Sequence, residues 1–136
     1  MAMTRNQEHY VVMTVIYDEL SDFVLGGGKV FRDARQIIAD VAELPYSQVS
    51  SYVKNVVAYS LQHYGEIVDV FTPHLKGWKW ERLPLLSQSI LIMSYAHSKV
   101  EPDDKKVIIN VAVDLAKKYF DNKQAGFINA ILDEVL

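Results

Sequence analysis

Two segments near the end of the chain decide its fold: VIINVAVDLAKKYF at residues 107–120 and GFINAILD at residues 126–133. At about 3.6 residues per turn, the first segment collects its apolar side chains on one broad face and leaves Asn110 on the opposite side. The second segment forms an apolar ridge, with Asn129 outside it. Both segments are therefore predicted to be amphipathic helices that pack against a helical core.

The same periodicity continues through the rest of the chain. Gly26, Gly27 and Gly28 interrupt it, and we expect an exposed loop there, because consecutive glycines make a helix costly in backbone entropy. The further predicted helices cover residues 5–20, 30–44, a segment N-capped by Ser47, 66–71 and 84–97. The helix that contains residues 107–120 is predicted to start at residues 102–104. The predicted fold class is all-α, with about seven helices and no strand, in a single helical domain over residues 1–136.

Composition narrows the class of protein. Half of the 136 residues are hydrophobic, 23% are charged and none is cysteine, which excludes disulfides, thiol catalysis and zinc–thiolate sites. No run approaches the roughly 18 apolar residues of a membrane span, so we expect a cytoplasmic protein without a membrane segment. The net charge of −3 means that any contact with nucleic acid depends on a local basic patch.

The order of several short motifs carries a family resemblance. The C-terminal matches are Ile109-Asn110, Ala112-Val113, Leu115-Ala116-Lys117, Phe127-Ile128-Asn129 and Leu132-Asp133; the central matches are Trp78, Arg82-Leu83, Ile90-Leu91, Met93 and Tyr95. In this order they resemble the NusB family of bacterial transcription antitermination factors, most specifically from Trp78 onward. The resemblance implies an all-α bundle that binds boxA-type single-stranded RNA together with NusE, a ribosomal protein, and through them serves the RNA polymerase complex.

The resemblance also implies an RNA surface in two parts. The family's first helix starts with arginines that contact phosphates, and this chain has Arg5, Gln7 and His9 there. The second part would combine Phe127, stacked on an unpaired base, with Lys118 and Lys123. The alternative for the first part is an ordinary solvated helix start, and for Phe127 it is a place in the core.

The partner surface implied by the resemblance includes Tyr17, Gln88 and Tyr95. Relative to the family, Ser87 and Gln88 replace a pair of opposite charges, Ile92 replaces an arginine and His97 replaces a glutamate. These changes remove charges and predict an interface that depends on apolar contact. The two tryptophans at positions 78 and 80 favour a closed core at a joint between helices, although an RNA-stacking pair is the alternative.

Nothing in the sequence favours catalysis, a metal site or a cofactor. The four histidines are scattered, and the triple glycine does not continue into a phosphate-binding Gly-Lys-Ser/Thr motif. We therefore expect a binding protein and not an enzyme. Two alternatives to an RNA-binding factor remain open. One is a helical protein adaptor that has lost RNA contact, and the other is a detached relative of the NusB-like domain of ribosomal RNA cytosine methyltransferases.

Overall fold

The computed structural model describes residues 3–136 and contains seven α-helices in that range. They are α1 (Arg5–Leu25), α2 (Ala34–Ala42), α3 (Ser51–Gln62), α4 (Tyr64–Phe71), α5 (Leu85–Val100), α6 (Lys105–Tyr119) and α7 (Asn122–Val135). Short 3-10 segments cover Tyr46–Gln48, Thr72–His74 and Trp80–Arg82, and no strand occurs in the described residues. The all-α prediction with seven helices is confirmed.

Helix boundaries follow the local capping chemistry. Thr4 and Gln7 form a reciprocal capping box at the start of α1, which then runs to the glycine loop, five residues beyond the predicted end at residue 20. Ser50, and not the predicted Ser47, caps α3, because residues 46–48 form a 3-10 turn after Pro45. The glycine loop is exposed, as predicted, and Gly27 and Gly28 adopt left-handed backbone angles.

Helix α5 is the centre of the fold. All residues from Ser87 to His97 are buried, and α5 contacts α1, α3, α4, α6 and α7. Polar side chains on α5 are bonded to its neighbours: the Ser89 hydroxyl donates to the Met13 carbonyl at 2.6 Å, and the Ser87 hydroxyl donates to Gln124 at 2.8 Å. These bonds offset the cost of burying the hydroxyls and fix α1 and α7 against α5.

A buried polar cluster joins α1, α3 and α5. The Tyr52 hydroxyl lies 2.9 Å from Nδ1 of His97, whose Nε2 lies 2.7 Å from an Asp103 carboxylate oxygen. The His9 ring packs edge-on against Tyr52, and its buried Nε2 has no hydrogen-bond partner among the described residues. Burial, then the nearby His97 and Arg5 charges, lowers the pKa of His9 to about 4. His9 is therefore neutral in the folded protein at neutral pH.

Within residues 3–136, no helix combines the length and the apolar character needed to cross a membrane.

The last two helices supply core side chains whose removal should be costly. Leu115 and Ile131 are buried at 8% and 3% exposure, so replacing either with alanine should lower the free energy of unfolding by about 2–5 kcal/mol through lost burial and a cavity. Urea denaturation measures the loss. Val107→Ala on the exposed side of α6 is the control and should change stability by less than about 0.5 kcal/mol. Losses below about 1 kcal/mol at both core sites would contradict this packing.

The lowered pKa of His9 makes stability depend on pH. Between its ordinary pKa of 6.5 and about 4, the unfolded chain protonates His9 while the folded protein does not, so stability falls as pH falls. Wild type should lose about 1–2 kcal/mol more than His9→Gln between about pH 7 and pH 5, measured by urea denaturation. An identical pH dependence of wild type and His9→Gln would overturn the assignment of a buried neutral histidine.

Candidate functional site

The N-terminal residues predicted to contact RNA are engaged within the protein. The Arg5 guanidinium lies 4.1 Å above the Tyr52 ring, 3.7 Å from a Glu8 carboxylate oxygen and 3.6 Å from one of Glu101. The Gln7 side chain accepts a hydrogen bond from the Thr4 amide at 2.8 Å in the capping box. The single arginine near the N-terminus is thus paired with two carboxylates, although 49% of its side chain is exposed.

His9 does not fit its predicted role. The ring is buried in the cluster with Tyr52 and His97, and burial keeps it neutral. A neutral imidazole offers a phosphate no positive charge, and only 6% of His9 is exposed, in a cavity of about 160 Å³ that it lines with Lys118. This finding argues against the N-terminal part of the predicted RNA surface. His9 is buried by Tyr52 and His97, which are distant in the sequence, so the local sequence does not indicate its burial.

The C-terminal part of that surface is accessible, but it lies in two separate places. Lys118 is exposed beside Gln7, with its ammonium 5.3 Å above the Tyr119 ring. Lys123 and the half-buried Phe127 line another cavity of about 320 Å³ together with Arg82 and Trp78. The structure therefore brings Lys123 and Phe127 together in one cavity. In a different place, Lys118 lines one cavity with Gln7 and another with His9.

The two tryptophans differ in burial: Trp80 lies in the core and Trp78 lies on the surface. Trp80 is buried at 3% exposure and stacks on Phe71 with ring centroids 5.9 Å apart, so it closes the core as predicted. Trp78 is 67% exposed and lines the cavity beside Phe127. The expectation of a core role thus holds for Trp80 and is wrong for Trp78. We refer below to the cavity walls formed by Trp78, Arg82, Lys123 and Phe127 as the aromatic cleft.

A larger apolar groove of about 580 Å³ surrounds Tyr17. Its walls come from α1, the start of α5 and the end of α6: Tyr10, Met13, Thr14, Tyr17, Pro84, Leu85, Leu86, Tyr119 and Phe120. Tyr10, Tyr17, Tyr119 and Phe120 are each between 38% and 39% exposed. Sequence inspection missed Tyr119 and Phe120, because both continue the apolar face of α6 and therefore look like core residues. We call this surface the Tyr17 groove.

The other two residues predicted to contact a partner are buried. Gln88 donates hydrogen bonds to the carbonyls of Trp80 and Leu83 at 3.1 and 3.0 Å, and Tyr95 packs inside near Phe71. Neither side chain can reach a partner directly while it holds these positions. The match of Tyr95 to the family therefore reflects packing of α5, and Gln88 serves hydrogen bonding within the protein.

The α5 residues that stand where the family has charges are also buried. Ser87, Ile92 and His97 are buried, and the polar ones are bonded within the protein. Ile92 packs in the core, and the buried polar atoms of Ser87 and His97 have hydrogen-bond partners. The replaced positions do not line the Tyr17 groove, whose walls are mainly apolar, and an interface that depends on apolar contact stays a prediction.

One cluster of potential metal ligands was missed in the sequence. His97 and Glu101 lie four residues apart on α5 and its C-cap, and their ligating atoms lie with one from Asp103 within 4.8 Å of one another. Both nitrogens of His97 already have hydrogen-bond partners, and Glu101 is paired with Arg5. In this arrangement the cluster ties the loop after α5 to α1 and α3.

Comparisons with known proteins agree with this architecture. A family model described as the NusB family matches residues 28–136. The chain is 30% identical to the transcription antitermination protein NusB of Clostridium botulinum strain Loch Maree over 141 residues, which covers 98% of this chain and 100% of that protein.

Two solved structures are similar in fold. T. maritima NusB aligns with a TM-score of 0.80 at 20% identity, covering 99% of this chain and 92% of that one. A crystal structure of the antitermination factors NusB and NusE in complex with dsRNA aligns with a TM-score of 0.75 at 22% identity, covering 96% of this chain and 94% of that one. Since the family model spans most of the chain and the Clostridium relative matches nearly all of it, this chain belongs to the NusB family.

Proposed function

We propose that this chain is a transcription antitermination factor that binds boxA-type RNA together with a NusE-like ribosomal protein. The observation that carries the proposal is the pairing of two surfaces on a NusB fold: the apolar Tyr17 groove and the aromatic cleft with its cations. The similar solved complex contains NusB, NusE and dsRNA, which supports the same classes of partner here. The protein would act in the cytoplasm as a scaffold near RNA polymerase, without catalysing a reaction.

The two surfaces are neighbours. Pro84, at the start of α5, lines both the Tyr17 groove and the aromatic cleft. A protein in the groove and an RNA strand in the cleft would therefore lie side by side and could contact each other. This adjacency supports joint binding, in which each partner adds contacts that the other alone lacks.

The charges that remain available predict weak binding of RNA by this chain alone. Arg5 is paired with carboxylates, whereas Arg82, Lys118 and Lys123 form no ion pair within the part of the chain that the structure describes. Two or three phosphate contacts cannot give tight binding to a protein with a net charge of −3. The NusE-like partner is needed to complete the RNA surface.

A helical adaptor that does not bind RNA is the second candidate function. The engagement of Arg5 by Glu8 and Glu101, together with the acidic net charge, favours it. Both functions use the Tyr17 groove, so a protein complex alone does not separate them. They differ in whether the complex with the partner binds RNA at low salt.

Binding of the protein partner should depend on Tyr17. The groove is mainly apolar, so Tyr17→Ala should weaken a NusE complex by about 1–3 kcal/mol, and the affinity should change little with salt. Isothermal titration calorimetry measures both. Leu25→Ala is the matched control, because Leu25 is an exposed apolar residue of the same helix outside the groove. An unchanged affinity of Tyr17→Ala, or the absence of any complex at micromolar concentrations, would reject this interface.

RNA binding should depend on Phe127 and only shallowly on salt. In the complex with NusE, two or three phosphate contacts from this chain should steepen the decrease of log affinity with log salt by about 1.4–2. The salt slopes of Lys123→Ala and Lys118→Ala, compared with that of wild type, measure the share of each lysine. Phe127→Leu, which keeps an apolar side chain but removes the aromatic face, should cost about 1–3 kcal/mol in fluorescence anisotropy. Circular dichroism checks that the variant is folded.

The control for the cationic positions is Lys106→Ala, an exposed lysine of α6 outside both cavities, which should leave RNA affinity nearly unchanged. Wild-type affinity in folded Phe127→Leu would remove the stacking role. If wild type with its partner binds no RNA even at low salt, the adaptor function replaces the RNA-binding one.

A further inference from the structure

A buried histidine and two carboxylates meet where α5 ends. His97 lies in the last turn of α5, Glu101 is the C-cap of that helix, and Asp103 follows two residues later. One ring nitrogen of His97 and one oxygen from each carboxylate lie within 4.8 Å of one another, the one such group of three in the described part of the chain. The end of α5 thus brings together three side chains of the kinds that ligate metal ions.

The spacing of these atoms suits a shared cation. Nitrogen and oxygen ligands lie about 2.0–2.2 Å from a bound transition metal, so two ligands of one ion are roughly 3–4.4 Å apart. Nε2 of His97 lies 2.7 Å from an Asp103 oxygen, slightly closer than two ligands of one ion. The side chains of Asp103 and Glu101 are 46% and 35% exposed, so both can rotate by the few tenths of an ångström that coordination requires.

Tyr52 orients the His97 ring for this role. Its hydroxyl lies 2.9 Å from Nδ1 of His97 and can accept a hydrogen bond from an Nδ1–H tautomer. Histidines that bind metals usually donate their other ring N–H in this way, which fixes both the tautomer and the direction of the ring. In that tautomer Nε2 carries the lone pair, and a metal ion takes the place of the proton that Nε2 shares with Asp103.

The charges around the group favour a dication. Asp103 lies against His97, and Glu8 and Glu101 have oxygens 3.7 and 3.6 Å from the Arg5 guanidinium. Three carboxylates therefore surround a single guanidinium. A divalent ion would neutralise the excess negative charge.

A second imidazole beside the group points independently to a ligand. His9 is buried, and its ring centroid lies 6.3 Å from that of His97. Its Nε2 has no hydrogen-bond partner within residues 3–136. A buried polar atom without a partner costs free energy, and a bound ion with its water ligands is one common explanation for such an atom.

We propose that Nε2 of His97 and the carboxylates of Glu101 and Asp103 bind one divalent transition-metal ion of the Co²⁺ or Zn²⁺ type. An imidazole combined with carboxylates favours these ions, whereas Mg²⁺ prefers oxygen ligands and keeps several waters. Three protein ligands leave at least one coordination position for water. The bound ion ties the end of α5 to the loop before α6, without requiring RNA or a protein partner.

Zinc titrated into metal-free protein tests the site. Isothermal titration calorimetry should show that wild type binds one equivalent of Zn²⁺, and an equal concentration of Mg²⁺ should not compete. Asp103→Asn and Glu101→Gln should each weaken zinc binding at least about tenfold, with circular dichroism verifying that these partly exposed variants are folded. Arg5→Gln should tighten binding severalfold, because the guanidinium repels the ion and competes for Glu101.

Two other histidine–glutamate pairs provide a matched control. His63 with Glu66 and His74 with Glu134 each make a 3.0 Å contact, yet neither pair belongs to a group of three potential ligands among the described residues. The double variant His63→Gln/His74→Gln should therefore keep the one-equivalent site with wild-type affinity.

The tautomer of His97 gives a readout that a merely structural cluster would not change. Long-range ¹H–¹⁵N correlation spectra of the histidine rings should show His97 in the Nδ1–H form once zinc is bound. Tyr52→Phe, which removes the acceptor of that proton, should weaken zinc binding about 10–100-fold.

Three results would overturn the metal site: no saturable binding of micromolar zinc to wild type, wild-type affinity in both Asp103→Asn and Glu101→Gln, or loss of the site in His63→Gln/His74→Gln. Each of them would leave the proposed binding of RNA and NusE untouched, because the metal site shares no residue with the Tyr17 groove or the aromatic cleft.

Discussion

The complete burial of α5 from Ser87 to His97 is the constraint on which the rest of the structure depends. A helix covered on every side can keep polar side chains only if neighbouring elements provide hydrogen-bond partners. Ser89 finds one on α1, Ser87 on α7 and His97 on α3 and in the loop before α6. These bonds fix α1 and α7 relative to α5 and thereby position the Tyr17 groove and the aromatic cleft.

The same constraint explains how charge is distributed at the N-terminus. Asp103 and Glu101 follow α5, and together with Glu8 they place carboxylates around the start of α1. Arg5 lies among them and over Tyr52, so its positive charge serves the fold. We therefore place the proposed RNA contact at the aromatic cleft, where Arg82 and Lys123 lie beside aromatic side chains.

Much of the fold was predictable from the sequence, because helical periodicity and glycine or proline breaks are local signals. The choice of Ser50 over Ser47 as the α3 cap was not, since both are possible caps and only the 3-10 turn after Pro45 decides between them. Family resemblance identified Tyr17 and Phe127 as candidates, and both reach the surface. The resemblance wrongly predicted that Gln88, Tyr95 and His9 are exposed, because their burial is set by tertiary packing around α5.

The central claim is that the aromatic cleft is the principal RNA contact of this protein, and that Lys118, beside the start of α1, adds at most one further phosphate contact. Photocrosslinking tests it most directly: boxA-type RNA with 4-thiouridine at each position in turn is irradiated in complex with the chain and NusE, and crosslinked peptides are identified by mass spectrometry. The account predicts crosslinks within residues 76–82 and 123–127, the segments that carry the cleft. Crosslinks confined to residues 3–9 would contradict it.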